Sequence, residues 1–269
     1  MTFLRRAVLL LYAVLIVAPL YFVAVTVFKS SPDFYAHPLG WPLPPTLVNL
    51  GRLFREQPLW TYFFNSVQVT AGTVLLVLLL GSMIAYAIVR FRGRTAGSLF
   101  MLFAAGLMVP SQVNMLTIYD LARKLSLSDR LLGLILVSSA LLLPLAVFML
   151  SGFMKLVSRE LLEAGSLDGC GEWSLYWRIA VPLVAPSLAS TAAFLLVIVW
   201  NDLLIPMLLL GSKSKLTLPL AILQFRGEYV TDYPMLLTGV LITSLPLVVL
   251  FLFLQRYFIT GLSDGALKG

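Results

Sequence analysis

Lys155 to Arg178 reads KLVSRELLEAGSLDGCGEWSLYWR, and this charged stretch joins two blocks, Leu131–Met154 and Ile179–Asn201, that carry no charge. Apolar residues Phe153, Met154, Val157, Leu161 and Ala164 keep a helical spacing, with Lys155, Arg159 and Glu163 on another face. Arg159 and Glu163 stand four apart, within reach of each other on a helix. Gly169, Cys170 and Gly171 supply the backbone freedom for a turn. A second short helix is expected from Glu172 to about Val181, carrying Trp173, Tyr176 and Trp177. Pro182, without an amide hydrogen, is expected to bend it where it enters the membrane. A helix, a glycine turn and a second helix between two spans suit a mechanical lever. An amphipathic loop lying on lipid fits the same pattern.

The two flanking blocks are part of a wider pattern. The chain has 269 residues, 60% hydrophobic and 12% charged, with a mean hydropathy of +0.97. A soluble domain carries roughly a quarter charged residues, so this chain could not cover its own surface with polar groups. Six uncharged windows are long enough for a hydrocarbon core about 30 Å thick, which takes roughly 20 helical residues. They are Ala7–Phe28, Tyr62–Val89, Thr95–Tyr119, Leu131–Met154, Ile179–Asn201 and Tyr233–Gln255. Their prolines, Pro19, Pro110, Pro144, Pro182, Pro186 and Pro246, are tolerable where neighbouring helices or water satisfy the freed carbonyls. MTFLRR and the apolar run after it read as a retained first span, because the run is too long for a signal-peptide core and lacks a clear cleavage site.

The net charge of +7 and pI near 9.7 do not point to nucleic acid, because the 19 Lys and Arg form small clusters between apolar blocks. Arg5 and Arg6 precede the first window, Arg90, Arg92 and Arg94 crowd a short link, and Arg256 follows the last window. An even number of spans puts these on one side, which the positive-inside rule makes cytoplasmic, with both termini. The Pro-rich segment 29–61, the link near Lys124 and the segment 211–232 then lie outside, where Trp41, Trp60, Tyr62 and Tyr229 suit an aromatic belt. One cysteine, Cys170, excludes an internal disulfide, and one histidine, His37, leaves little room for metal or His-based catalysis.

Glu163-Ala164-Gly165, three residues, Gly169, nine residues, then Ile179-x-Val181-Pro182 resembles the EAA loop of ABC importer permeases, E-A-A-x3-G-x9-I-x-L-P. Gly165 stands in place of the second Ala and Val181 in place of Leu. Gly165 is expected to loosen its helix by roughly 0.5–1 kcal/mol relative to Ala. The resemblance implies an all-α, six-transmembrane-helix type I ABC importer permease fold, one transmembrane domain over residues 1–269. The coupling loop spans about 153–186 and the cytoplasmic tail about 256–269. It implies that Glu163, Ala164, Gly165, Asp168, Gly169, Ile179 and Pro182 form the docking loop for a separate ATPase, with Glu163 toward that subunit and Gly169 making the turn. ATP-driven closure would swing the fourth and fifth spans, through contacts that differ between two states. No Gly-Lys pair occurs in the chain, so the phosphate-binding G-x4-G-K-[ST] loop is missing. ATP and magnesium are therefore expected on the ATPase subunits, with no cofactor or metal on this chain, which is read as a non-catalytic transport subunit.

Asn65-Ser66, Trp200-Asn201-Asp202 and the terminal QRYFITGLSDGALKG resemble maltose-type sugar permeases. In similar proteins that tail reaches the ATPase pair, which makes Lys268 and Gly269 candidate contacts; a frayed terminus is the alternative. Asp202 is a pathway candidate as a carboxylate at a span edge, or a helix-end cap. Trp200 fits sugar stacking or interface anchoring. Gln112 and Asn114 fit hydrogen bonding to a polyol or to the backbone freed by Pro110. Arg226, Gly227, Glu228 and Tyr229 occupy the loop that touches a substrate-binding protein in similar permeases, or a solvated connector. Small residues from Ala185 to Ala193 allow close helix approach, to a partner or within the bundle.

The expected assembly has a second, related permease subunit, two ATPase subunits and an external binding protein in the inner membrane, importing a sugar or oligosaccharide. A glycerol-phosphate-type or other polar solute is the alternative cargo. A self-contained secondary transporter would need intramembrane ionisable groups or paired repeats, and Asp202 is the one group near that description. A membrane-embedded enzyme lacks a carboxylate pair to work with.

Overall fold

The computed structural model describes residues 2–91, 93–110, 112–223 and 232–266. In chain order the helices are α1 (Thr2–Val27), α2 (Ser31–Ala36), α3 (Val48–Glu56), α4 (Leu59–Arg90), α5 (Arg94–Leu107), α6 (Met115–Lys124) and α7 (Leu131–Met154). There follow α8 (Arg159–Leu167), α9 (Glu172–Leu175), a π turn (Tyr176–Ala180), α10 (Val181–Leu183) and α11 (Ala185–Asn201). The last are α12 (Leu204–Leu209), a 3-10 turn (Lys213–Lys215), α13 (Leu218–Ile222) and α14 (Tyr233–Ala266). The described residues contain no strand.

Among the described residues, four helices are long and apolar enough to cross a membrane: residues 4–27 of α1, all of α4, all of α7, and residues 233–253 of α14. A fifth candidate is bent, with Glu172–Leu183 and Ala185–Asn201 meeting at 75°. The remaining window of the expected six, Thr95–Tyr119, is interrupted. α5 has 14 residues, about 21 Å at 1.5 Å per residue, short of the core. The break around Pro110 separates it from α6, as a proline that cannot donate and clashes with the preceding turn will do. α14 continues past Gln255 to Ala266, so most of the expected tail is helical.

Two compact units make up the chain. In the first (residues 1–63 and 217–249), the segment 29–61 closes over the end of α1. Asn49, 2% exposed, donates Nδ2 to the carbonyls of Val27 (3.2 Å) and Lys29 (2.8 Å). The carbonyl of Val27 is one that the helix end leaves unpaired, and that of Lys29 follows it in the turn. Fully buried Lys29 donates Nζ to the carbonyls of His37 (2.6 Å) and Pro38 (2.9 Å). Arg52 on α3 reaches Asp232 before α14 (Nη1–Oδ2 2.9 Å) and Phe34 stacks on Tyr233 with centroids 6.3 Å apart.

In the second unit (residues 64–216 and 250–269), glycines let helices approach closely. A Cβ on Gly72 would come within 2.9 Å of Ile135, and one on Gly81 within 3.1 Å of Ala146, so α4 lies tight on α7. α5 packs on the other side of α7, with Phe100 and Phe148 stacked at 6.1 Å. Of the small residues opening α11, Thr191 and Ala193 are buried within this bundle, while Ala185 is exposed. Asn65, near the start of α4, donates Nδ2 to the carbonyls of Ser214 (2.9 Å) and Leu216 (3.0 Å).

Candidate functional site

The loop from Lys155 to Val184 is folded, but its helix begins later than the spacing predicts. α7 ends at Met154, and α8 starts afresh at Arg159 with Ser158 as its cap, accepting from the Leu161 amide at 3.3 Å. That break shifts the buried face by one position. Leu162 and Gly165 face inward, whereas Leu161 and Ala164, expected on the apolar side, are exposed. Ser158 before a first-turn Glu160 is the cue that a continuous helical reading passes over.

α8 ends in a Schellman motif. Gly169 has φ +85°, its amide donates to the Ser166 carbonyl at 3.1 Å, and the Cys170 amide donates to the Gly165 carbonyl at 3.0 Å. Asp168 is the last residue before this turn. Gly169 therefore makes the expected turn, in the left-handed region where a side chain is disfavoured.

The second limb is helical from Glu172 to Leu183, with a π turn in the middle where the Val181 amide donates to the Tyr176 carbonyl. Pro182 cannot donate to Arg178, so the local ladder loosens, as π turns do. The expected bend at Pro182 falls instead at Val184, because Pro186 removes the next bond and crowds the carbonyl of Pro182. Gly165 sits against this limb, facing its Leu175 and half-buried Ile179.

Glu163, Ala164 and Asp168 are exposed along α8. Glu163 and Arg159 line a crevice of about 190 Å³ with Val89, Arg90, Val157 and Leu162. The loop is held from the side by α4. Arg90 donates from Nε and Nη2 to Glu172 (2.8–3.1 Å) and from Nη2 to Ser166 Oγ (3.2 Å); the Tyr86 hydroxyl donates to Glu172 Oε2 (2.8 Å). In the sequence Arg90 stands out only as a topology signal; the spacing by four of Ser82, Tyr86 and Arg90 is the cue to this contact.

A cavity of about 490 Å³ lies between α5, α7 and α11, and Gln112, Asn114, Ser138 and Asp202 are the polar groups among its described lining residues. Asp202 also caps α12: its Oδ1 accepts from the amides of Leu204 (3.0 Å) and Ile205 (3.5 Å). Trp200 is buried at 5% exposure and does not line the cavity; neither does Asn201, whose Nδ2 donates to the Val197 carbonyl at 2.9 Å. Three of the five pathway candidates thus converge and two do not. Pro182 is exposed. Arg226, Gly227, Glu228, Tyr229, Lys268 and Gly269 lie outside the described residues.

Residues 77–264, which contain the folded loop and the cavity, match the binding-protein-dependent transport system inner membrane component family, and the chain belongs to it. It is a multi-pass membrane protein and a transport permease. Among its relatives, the arabinooligosaccharides transport system permease protein AraQ of Halalkalibacterium halodurans is 37% identical, over 83% of this chain and 80% of AraQ. The multiple sugar-binding transport system permease protein MsmG of Streptococcus mutans is 32% identical, over 99% of this chain and 97% of MsmG. The fold is also that of a solved chain from a bacterial ABC transporter that imports the acidic polysaccharide alginate: TM-score 0.86, 17% identity, 96% of each chain covered.

Proposed function

We propose that this chain is the sugar-translocating subunit of an ATP-driven importer, working with a second permease subunit, two ATPase subunits and an external binding protein. The observation that carries the coupling part is the loop itself. α8 presents Glu163, Ala164 and Asp168 outward while its other face, Leu162 and Gly165, is buried. An exposed acidic edge on a folded limb is what a docking element needs, and the chain joins the limbs to long helices that would carry its motion, α7 across residues 155–158 and α11 at the bend at Val184. Both termini lie in the cytoplasm on this reading, with the loop.

The cargo part rests on the names of AraQ and MsmG, and on the cavity. Among its described lining residues are amides, a hydroxyl and one carboxylate, with no Lys or Arg. That set suits the hydroxyls of a neutral saccharide and disfavours a phosphate ester, whose charge would meet Asp202 unpaired. ATP and Mg²⁺ would bind the ATPase subunits, and the chain itself would hold no cofactor.

The test is purification of the chain with whatever accompanies it, followed by ATPase assay of the wild type and Glu163→Ala. A co-purified ATPase, stimulated by binding protein with arabino-oligosaccharide and uncoupled by the substitution, is the expected result. Sugar uptake by this chain alone in liposomes, without ATP, overturns it.

A further inference from the structure

We propose that Ser82, Tyr86 and Arg90 form a latch that makes α4 a third driven span, with Arg90 as its positioning residue. This rests on the reading of residues 155–184 as the ATPase-coupled loop. The loop is covalently continuous with α7 and α11, whereas α4 meets it only through side chains.

The three residues recur every four along the end of α4, so they form one stripe on one face. Each meets a different level of the loop. Ser82 gives its proton to the Leu78 carbonyl, which leaves its oxygen to accept from the Tyr176 hydroxyl at 2.7 Å. Tyr86 donates to Glu172 at 2.8 Å and its ring lies 5.4 Å from that of Tyr176. Arg90 places its planar fork on both oxygens of Glu172 and its Nη2 on Ser166. Ser166 is on α8 and Glu172 on α9, so one guanidinium spans both limbs across the Gly169 turn.

Geometry, rather than binding strength, assigns the role. Arg90 and Glu172 side chains are 23% and 45% exposed, so the pair adds little to folding stability. Ser82, Tyr86 and Tyr176 are buried at 3%, 8% and 3%, which fixes the register of the stripe. A displacement of α8 therefore cannot leave α4 behind without breaking the Arg90–Ser166 bond, nor one of α9 without breaking the fork on Glu172.

The test uses the full importer in nanodiscs with Cys170→Ser, trapped by Mg-ATP and vanadate. Maleimide labelling of an Ala87→Cys reporter on α4 is compared with an Ala189→Cys reporter on α11. With Arg90 intact, trapping should change the labelling rate at both reporters by about fivefold or more, the lower range of site-to-site coupling. Arg90→Gln should abolish the change on α4 and leave it on α11, and the exchange Arg90→Glu with Glu172→Arg should restore it. Should Arg90→Gln not assemble, Tyr86→Phe with Ser166→Ala serves instead and should reduce the α4 response at least by half. A full α4 response in Arg90→Gln, or in that double variant, overturns the latch; so does no α4 response in the unmodified complex that traps vanadate. Failure of the unmodified complex to trap vanadate with any ATPase subunit instead overturns the importer reading on which the latch stands.

Discussion

Gly165 and Leu175 are packed so closely that a Cβ on Gly165 would stand 2.7 Å from Leu175 Cδ2, with Ile179 Cδ1 at 3.0 Å. Leu175 is fully buried and has little room to yield. The glycine at the second Ala position of the family pattern thus allows the two limbs of the loop to touch. Its cost in helix propensity is offset by that contact. Gly165→Ala should destabilise the loop by about 1–3 kcal/mol, as overpacking does, even though Ala is the better helix former. Leu175→Val, which removes the opposing Cδ atoms, should recover part of the loss. Thermal unfolding in detergent of the single and double variants checks this, and a more stable Gly165→Ala contradicts it.

Asp129 fastens the link between α6 and α7 to the one that follows α12. It sits at φ 53°, its Oδ1 accepts from the amides of Gly211 (3.1 Å) and Ser212 (2.9 Å), and its Oδ2 accepts from Lys215 Nζ (2.8 Å). The Lys215 ammonium, then the Ser212 hydroxyl and amide, hold this carboxyl well below the usual carboxylate range. A folded-state value lowered in this way adds stability above the unfolded pKa of about 3.9, and the gain is lost as pH falls through the folded value. Wild-type stability should therefore fall on acidification below about pH 4, and Asp129→Asn should remove part of that dependence. Melting curves from pH 7 to pH 3 read the difference.

Asn49 should be costly to remove. Asn49→Ala leaves the carbonyls of Val27 and Lys29 without their buried donor, at about 1–3 kcal/mol. A change below about 0.5 kcal/mol, typical of surface sites, would show that water replaces it. Chemical denaturation in mixed micelles is the appropriate measurement.

Asp202 distinguishes a cap from a charge requirement. Asp202→Asn keeps an oxygen able to accept from Leu204 and Ile205, whereas Asp202→Ala loses the cap and about 0.5–2 kcal/mol. With a neutral saccharide as cargo, Asp202→Asn should keep saccharide import within about twofold of wild type, a difference of under half a kcal/mol. Loss of import with the fold intact would mean that the negative charge itself is used.

Span positions were legible from charge spacing: the window Leu131–Met154 matches α7 at both ends, and the glycine turn at Gly169 is where its spacing puts it. What escaped was tertiary. The break at Ser158 moved the buried face of α8 from Leu161 to Leu162, since helical periodicity cannot register a restart after a gap of four residues. The bend moved from Pro182 to Val184 because two prolines compete, and sequence alone does not rank them. Trp200 read as an anchor or a stacking ring, yet it is buried, because an aromatic at a span end is placed by its neighbours. Glu172, read only as a helix start, is the carboxylate on which Tyr86 and Arg90 converge.

The pairing of Arg90 with Glu172 also sets a schedule for making the protein. The two are 82 positions apart, so a ribosome adding about 5–20 residues per second needs roughly 4–16 s to supply the second after the first. During that interval α4 is already apolar enough to enter the bilayer, with Tyr86 and Arg90 at its end and Glu172 still unsynthesised. Arg90 can lead its charge into the headgroups while it waits, because its long stem reaches the interface. The nascent bundle is therefore built from lipid-satisfied helices first, and its polar fastening closes only after the loop emerges.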